Sequence, residues 1–234
     1  MNYQFAAIGL GPLILAQGIY VRLVTPRLPE PKGTRHGIAG SGEPLRLLIA
    51  GDSAAAGVGA ESQASALSGR LVSLLAPHFH LSWRLIARTG DKTRDVLDHI
   101  ESMDQEDFDV AVVSVGVNDV TGGTSLKKWP ELLNNLCERL KSRFGIQQVF
   151  LTSLPPMHAF PALPQPLRWY LGTRAALFNQ AMSDLADKRD SWEYVRPDFP
   201  LTREFVAADG FHPGPAAYAL WAELMAAAIR QKRR

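Results

Sequence analysis

Two short polar sequences, far apart in the chain, contain the residue types of a nucleophilic catalyst: Gly51-Asp52-Ser53 after an apolar run, and Asp209-Gly210-Phe211-His212 near the C-terminus. A serine hydroxyl is a poor nucleophile until a base takes its proton, and histidine is the usual base. A carboxylate on the other imidazole nitrogen then fixes the tautomer and stabilises the charged ring. Because Pro213 disfavours helix at His212, we expect a turn that joins Asp209 to His212 and leaves the second nitrogen facing Ser53.

Acyl transfer also requires hydrogen-bond donors for the oxyanion that develops on the substrate. Three groups are candidates: the backbone N–H of Ser53, the backbone N–H of Gly90 and the side-chain amide of Asn118. Glycine at position 90 lets the backbone approach a ligand closely. Each of these short sequences, taken alone, is also typical of an ordinary turn or helix cap. Their occurrence together, in this order, favours a single site.

The elements that position these residues alternate between strand and helix. Apolar runs predict strands at Leu45–Ala50, Leu81–Ala87, Val110–Val115, Gln148–Ser153 and Glu193–Val195. Helical patterns lie between and after them, near residues 63–76, 93–103, 125–143, 172–189 and 215–231. Nearly continuous apolar strands separated by helices indicate a parallel sheet that is covered on both faces. Ligands of such sheets bind outside the C-terminal ends of the strands, and the candidate residues follow those ends.

These sequences resemble the conserved blocks of the SGNH hydrolases, also called the GDSL esterase and lipase family. Gly51-Asp52-Ser53 is similar to the first block, with Ala54 where the family's name-giving leucine would stand. Gly90 matches the glycine of the second block, Gly116-Val117-Asn118-Asp119 the third, and Asp209-Gly210-Phe211-His212 the fifth. Four blocks in order are far more specific than any one of them, and the resemblance covers about residues 45 to 225.

The resemblance implies a flavodoxin-like three-layer α/β/α sandwich with a mostly parallel five-stranded sheet. It implies that Ser53 is the nucleophile, His212 the base and Asp209 its orienting acid, with Ser53, Gly90 and Asn118 forming the oxyanion hole. The activity expected is a serine esterase that hydrolyses carboxylic esters or thioesters of small molecules through an acyl-enzyme, without a cofactor. Asp52 and Asp119 would support the turns and would not be catalytic.

Other functions fit parts of the same pattern. Within the family, a carbohydrate deacetylase or a lysophospholipase would use the same machinery. A non-catalytic flavodoxin-like binding module would keep the turns without the chemistry. The glycine-rich turn Gly51–Gly59 suggests a phosphate-binding loop, but it lacks the Gly-Lys-Ser/Thr ending. The histidines are dispersed, so we expect no metal site. A net charge of +2 argues against a nucleic-acid partner.

The chain divides into an apolar N-terminal helix (residues 1–24), a Pro/Gly-rich linker (25–43) and a catalytic domain (44–234). Residues 5–21 carry no charge. Three interpretations of that run stay open: a helix docked on its own domain or on a second copy, an anchor in or across a membrane, or an atypical export signal. The expected compartment is cytoplasmic, with or without membrane association through this helix, and the alternative is export or the periplasm.

The segment Leu154–Leu171 is long and irregular for a compact domain, and such loops are often functional. It combines several prolines with large apolar side chains. We expect part of it to line an acyl or aryl pocket beside Ser53, with Met157, Phe160 and Trp169 as the candidate contacts. The alternative is that these side chains belong to the core of the domain.

Overall fold

In the computed structural model, residues 9–200 and 202–233 are described. They contain six strands and eight α-helices. In chain order these are α1 (Gly11–Val24), β1 (His36–Ala39), β2 (Glu43–Gly51), α2 (Ser53–Ala56), α3 (Leu67–Leu75), β3 (Phe79–Ala87), α4 (Thr93–Ser102), β4 (Val110–Ser114), α5 (Val117–Thr121), α6 (Trp129–Phe144), β5 (Gln148–Thr152), α7 (Leu167–Ala186), β6 (Trp192–Val195) and α8 (Pro215–Lys232). Short 3₁₀ turns lie at Gln63–Ser65, Met157–Ala159 and Arg203–Phe205.

The six strands form one sheet in the order β1-β3-β2-β4-β5-β6. The five predicted strands are all present and parallel, in the order of flavodoxin-like folds. The prediction of five strands is corrected by β1, which pairs antiparallel with β3 inside the range that we expected to be a linker. The four residues of β1 include Gly37 and are followed by Gly40, so they give no strand periodicity. Only the pairing with β3 reveals this edge strand.

The α/β/α sandwich follows from strand side chains that alternate between two faces. On one face Leu48 and Ala50 pack with α4, α6 and α7 in one buried cluster, which includes the cysteine Cys137. On the other face Leu47 and Ile49 pack with α3 and α8 in a second cluster. Both faces of the central strand β2 are therefore buried, as expected for a nearly continuous apolar run.

The segment between α1 and β1 holds the end of β3. The Glu30 carboxylate accepts hydrogen bonds from the backbone N–H of Thr89 at 2.7 Å and from its hydroxyl at 2.8 Å. Arg35 donates to the carbonyl oxygen of Ala87 at 2.8 Å and to Glu30. This part of the expected linker thus ties down the turn that contains Gly90.

Helix α1 lies against the N-terminal end of α7. The Gln17 side chain donates to the carbonyl oxygen of Gln165 at 2.6 Å and accepts the N–H of Leu167 at 3.0 Å, while Ile14 and Val21 pack on the core. Other apolar side chains of α1 are exposed, including Leu15 at 66% and Leu23 at 79%. Within the described part of the chain, no helix has both the length and the apolar character needed to cross a membrane. The first part of the predicted N-terminal helix, residues 1–8, lies outside the described residues.

The segment predicted to be irregular over Leu154–Leu171 is shorter than expected, because α7 already begins at Leu167. Pro164 and Pro166 come just before that start, and they obscure a helical pattern in the sequence. Trp169 therefore lies on a helix and not in the loop. The irregular part that remains connects the end of β5 to α7.

Candidate active site

Ser53 begins α2 immediately after the C-terminal end of β2. Gly51 is required there, because a Cβ atom at this position would lie 2.3 Å from the carbonyl oxygen of Ser114 on β4. The N–H of Asp52 donates to the same oxygen at 3.1 Å, and the Asp52 carboxylate caps the N–H of Ala54 at 3.0 Å. The Ser53 N–H lies in the first turn of a helix, where backbone donors have no partner within the helix. It is therefore positioned to bind a developing negative charge.

Asp209 and His212 form the turn that the sequence predicts. The imidazole Nδ1 lies 2.5 Å from Asp209 Oδ2, and Nε2 lies 3.0 Å from Ser53 Oγ. The other carboxylate oxygen of Asp209 accepts the N–H groups of Phe211 and His212, both at 3.0 Å. With its proton on Nδ1, His212 donates to Asp209 and accepts from the Ser53 hydroxyl. The three side chains thus form one hydrogen-bonded series.

The two buried carboxyl groups of the site differ in their pKa values. Burial raises the pKa of Asp52 to about 7, and the negative charges of Asp119 and Asp91 add to this, against the hydrogen bond from Ala54 and the charge of His212. Burial alone would also raise the pKa of Asp209. The hydrogen bonds from the His212 ring and from two backbone N–H groups outweigh it and lower that pKa below its ordinary value. Asp209 is consequently held as the carboxylate that an imidazolium partner needs.

The turns after β3 and β4 bring Asn118 into contact with Asp91, the residue that follows Gly90. The Asn118 amide donates one hydrogen bond to the carbonyl oxygen of Asp91 at 2.9 Å, which leaves its second N–H for another acceptor. Gly90 has φ +94°, and a Cβ atom there would meet nothing within 4 Å. Gly51 pairs with Ala87 on β3 and with Ser114 on β4, so the turns after these two strands begin at the same edge of the sheet as Ser53.

A buried polar cluster around Asp119 connects the turns after β3 and β4. The fully buried Asp119 carboxylate accepts the N–H of Thr93 at 2.9 Å, the hydroxyl of Thr93 at 2.7 Å and the hydroxyl of Thr124 at 3.0 Å. Trp129 donates its indole N–H to the Thr93 hydroxyl at 2.9 Å. Asp119 thereby fixes the N-terminus of α4 relative to α5, the helix that carries Asn118.

A cavity of about 480 Å³ opens beside Ser53 and His212. Phe160 lines it, as the sequence predicts. The prediction for Met157 is wrong, because this side chain is completely buried in the core and does not line the cavity. The prediction for Trp169 is also wrong, because Trp169 lies on α7 and is not among the residues that line the cavity. Both predictions fail for the same reason. The chain forms a 3₁₀ turn before Phe160 and α7 after it, and these place Met157 and Trp169 outside the cavity wall.

Several residues of the site were not anticipated from the sequence. The segment before the Asp209 turn supplies much of the cavity wall, with Phe199, Phe205 and Val206, and Phe211 and Trp221 complete it. Tyr218 on α8 donates its hydroxyl to the carbonyl oxygens of Ala54 and Val58 at 3.0 and 2.8 Å and so braces the turn after Ser53. The apolar residues close to Asp209 were the available signal, but strand and helix periodicity do not mark them.

Across residues 9–200 and 202–233, no group of three or more His, Cys, Asp or Glu side chains is arranged to hold a metal ion. The ionisable groups closest to Ser53 are already engaged, since Asp209 accepts three hydrogen bonds and Asp52 caps α2. A serine hydroxyl, an imidazole and a carboxylate in this order are groups suited to proton transfer and nucleophilic attack.

A hydrogen-bonded serine, histidine and aspartate at the C-terminal edge of a parallel sheet is an arrangement that serine hydrolases use. The chain belongs to the GDSL-like lipase/acylhydrolase family, whose model matches residues 49–220. It is a hydrolase that acts on ester bonds. A GDSL-like esterase, Rv1075c of Mycobacterium tuberculosis, is 27% identical over an alignment of 253 positions that covers 96% of this chain and 78% of the relative.

Solved structures share the fold at low sequence identity. A carbohydrate esterase family 2 enzyme with a carbohydrate-binding domain, from Corynascus thermopiles (Myceliophthora fergusii), superposes with a TM-score of 0.65 at 14% identity, covering 82% of this chain and 67% of that one. The psychrotrophic esterase EstA from Pseudoalteromonas sp. superposes with a TM-score of 0.61 at 17% identity, covering 80% and 97%. These likenesses show the SGNH-hydrolase fold.

Proposed function

We propose that this protein is a serine esterase that cleaves carboxylic esters or thioesters through an acyl-enzyme on Ser53, with residues 44–234 as the catalytic domain. The observation that carries the proposal is the continuous series Ser53 Oγ, His212 Nε2, His212 Nδ1 and Asp209 Oδ2, with separations of 3.0 and 2.5 Å. A serine hydroxyl that merely caps or fills a turn has no need of a buried carboxylate behind its histidine partner.

In the first half-reaction, Ser53 Oγ attacks the ester carbonyl while His212 Nε2 takes the hydroxyl proton. The carbonyl oxygen becomes an oxyanion, which the N–H of Ser53, the N–H of Gly90 and the Asn118 amide stabilise. The bond to the leaving alcohol then breaks, and His212 returns the proton to that oxygen. In the second half-reaction, His212 takes a proton from water, hydroxide attacks the acyl group, and Ser53 leaves with the proton restored. Asp209 keeps the imidazole in the reactive tautomer throughout.

The test compares wild type with Ser53→Ala on 4-nitrophenyl acetate and butyrate. We expect Ser53→Ala to reduce kcat by at least about 10³-fold, and an organophosphonate to add covalently to Ser53 in wild type alone. A control, Ser73→Ala, removes an exposed hydroxyl on α3 that bonds only to a carbonyl of its own helix. Equal rates for wild type and Ser53→Ala, or no turnover by either, would instead indicate the non-catalytic binding module.

A substrate panel separates the alternatives within the family. The apolar walls of the cavity support esters with an apolar acyl chain over acetylated sugars. We expect 4-nitrophenyl esters of butyrate and longer acids to exceed acetylated xylose or glucosamine in kcat/KM. Faster deacetylation of the sugars would make carbohydrate deacetylation the function, and release of fatty acid from lysophospholipid vesicles would indicate a lysophospholipase.

We also propose that the exposed face of α1 contacts an anionic lipid surface. Its side chains Leu15, Ile19, Tyr20 and Leu23 are all more than half exposed. The neighbouring charges are the exposed Arg22 and Arg27, and residues 1–29 contain no acidic side chain. An apolar helix face with basic residues beside it is typical of an interfacial helix.

The measurement is co-sedimentation of the full chain with vesicles of phosphatidylcholine, with and without phosphatidylglycerol. We expect binding to the anionic vesicles, weakened by salt and by Leu15→Gln with Leu23→Gln. Ile38→Gln, which changes an exposed apolar residue on β1, is the control. Absence of binding, or a dimer in solution that the α1 substitutions dissociate, would contradict the lipid contact. The cytoplasmic compartment stays a prediction.

A further inference from the structure

A series of aromatic rings connects the cavity wall to the imidazole of His212. The Phe160 ring packs edge-on against Phe211 with centroids 5.0 Å apart and an interplanar angle of 68°. Phe211 packs in the same way against the His212 ring at 5.4 Å and 70°. Phe160, Phe211 and His212 all line the cavity beside Ser53. A group that enters the cavity therefore contacts the same rings that support His212.

The backbone joins the same two segments. The N–H of Ala162 donates to the carbonyl oxygen of Gly210 at 3.3 Å, between Asp209 and His212. A Cβ atom on Gly210 would lie 3.1 Å from the backbone nitrogen of Ala162, so the two segments are in close contact there. The turn that holds Asp209 and His212 is thus packed against the segment that carries Phe160.

We propose that Phe160 is a positioning and specificity residue: it restrains the His212 imidazole through Phe211, and it forms the wall that selects the acyl chain. This inference rests on the proposed esterase function. Its physical basis is that edge-to-face aromatic pairs have a preferred geometry and a stabilisation beyond the area that they bury. Loss of the Phe160 ring frees Phe211, and a free Phe211 no longer restrains the ring that must meet Ser53 at 3.0 Å.

The acyl chain is the part of the ester that we assign to this wall. The acyl group stays bonded to Ser53 through both half-reactions, whereas the alcohol departs after the first. Space that begins at Ser53 and is bounded by Phe160 can hold an extended chain in both steps. In wild type, kcat/KM should rise by about threefold to fourfold for each methylene from acetate to hexanoate, as expected when each methylene is buried.

The experiment measures kcat and KM separately for 4-nitrophenyl acetate and hexanoate. An acetyl group is too short to use the wall, so acetate reports on the positioning of His212 alone. For Phe160→Ala we expect kcat on acetate to fall about fivefold to tenfold with little change in KM, which corresponds to the loss of one aromatic pair. On hexanoate, kcat/KM should fall further, because both the support of His212 and the wall are lost.

Two further variants separate the ring from its volume. Phe160→Tyr keeps the ring and should retain most of the acetate kcat. Phe160→Leu keeps much of the apolar volume, so it should preserve the preference for hexanoate while its acetate kcat stays as low as that of Phe160→Ala. Phe160→Leu also keeps the test decisive if Phe160→Ala does not fold.

Phe79→Ala provides a matched control. Phe79 is 8% exposed, against 7% for Phe160, and like Phe160 it packs edge-on against another ring, that of His78, with centroids 6.5 Å apart. It lies at the start of β3, at the opposite end of the strand from the Gly90 turn. Its truncation should lower the unfolding midpoint without changing the acetate kcat.

Several results would overturn the inference while wild type remains active and dependent on Ser53. They are an unchanged acetate kcat in Phe160→Ala, an equal loss in Phe79→Ala, no rescue by Phe160→Tyr, or a chain-length preference that follows the alcohol. A failure of the esterase proposal looks different, because Ser53→Ala would then match wild type.

Discussion

The Nε2 atom of His212 lies 3.0 Å from Ser53 Oγ, although 159 positions separate the two residues in the chain. Ser53 is placed by the end of β2, and His212 by a turn just before α8. Helix α8 packs on the face of the sheet that carries Leu47 and Ile49, and its Tyr218 holds the turn after Ser53 through two carbonyl oxygens. The contact between Ser53 and His212 therefore depends on the packing of α8.

The tautomer of His212 should depend on Asp209. In Asp209→Asn the amide NH₂ would face Nδ1 and favour a proton on Nε2, which can no longer accept the proton of Ser53. We expect kcat on 4-nitrophenyl butyrate to fall by about 10³–10⁴-fold, measured by steady-state kinetics. Because the side chains act as a unit, Ser53→Ala with Asp209→Asn should lose little beyond Ser53→Ala alone. Additive losses would contradict a single hydrogen-bonded series.

The Gly90 turn should contribute to stabilisation of the oxyanion. Gly90→Ala introduces a side chain at φ +94°, where only glycine is relaxed, so the turn and its N–H must shift. We expect kcat to fall by about 10²-fold with KM little changed, in line with the loss of an oxyanion donor. Gly123→Ala is the control, because Gly123 also has positive φ (+76°) and open space around its Cα. Comparable losses in both variants would mean that backbone strain alone is responsible.

The stability of the protein should depend on pH through Asp52. Its pKa is about 7 in the folded protein and about 4 in the unfolded chain. The folded state thus binds the proton more tightly, so the stability it contributes is complete below pH 4 and is lost as pH rises through about 7. Asp52→Asn stays neutral and should remove this decline, a difference on the order of 3–4 kcal/mol.

Urea unfolding of wild type and Asp52→Asn between pH 4.5 and 8 measures this difference. The two curves should diverge in slope, with Asp52→Asn the less dependent on pH. Asp187→Asn, at the exposed C-terminal end of α7, serves as the control and should parallel wild type. Parallel curves for Asp52→Asn as well would show that Asp52 is ionised in the folded protein throughout this range.

The buried cluster around Asp119 should be sensitive to the loss of one hydroxyl. Thr93→Val leaves both Asp119 Oδ2 and the Trp129 indole N–H without the Thr93 hydroxyl. We expect a loss of about 2–4 kcal/mol in the free energy of unfolding, since buried polar groups without partners are costly. Thr121→Val removes an exposed hydroxyl that bonds to its own helix and should change stability by less than about 0.5 kcal/mol. Similar midpoints in urea for both variants would contradict this role.

Much of the fold could be predicted because it is recorded in local patterns. Leu47–Gly51, the part of β2 that is buried on both faces, is apolar at every residue, and α6 shows its buried residues at helical spacing. Strand β1 could not be predicted in this way. Its residues His36–Ala39 alternate between exposed and partly buried, and the strand exists because β3 offers an edge for antiparallel pairing.

The candidate chemistry is likewise local, because a turn of four residues suffices to join Asp209 to His212. The walls of the cavity, by contrast, are not determined by local sequence. Phe160 lines it while Met157, three positions earlier, is buried in the core, and Phe199 and Phe205 reach it from another segment. No periodicity distinguishes these positions, since irregular segments take their direction from what they pack against.

The amino-acid sequence by itself therefore determined the five parallel strands, most of the helices between them and the residue types that stand at the strand ends. These depend on interactions over a few neighbouring positions, which hydrophobic spacing and turn chemistry report directly. The tertiary structure set the 3.0 Å contact between Ser53 and His212, and it alone decided that Phe160 packs against Phe211 and that Phe199, Phe205 and Val206 line the cavity. Such contacts join distant segments, and their geometry is set by the packing of whole elements on the sheet.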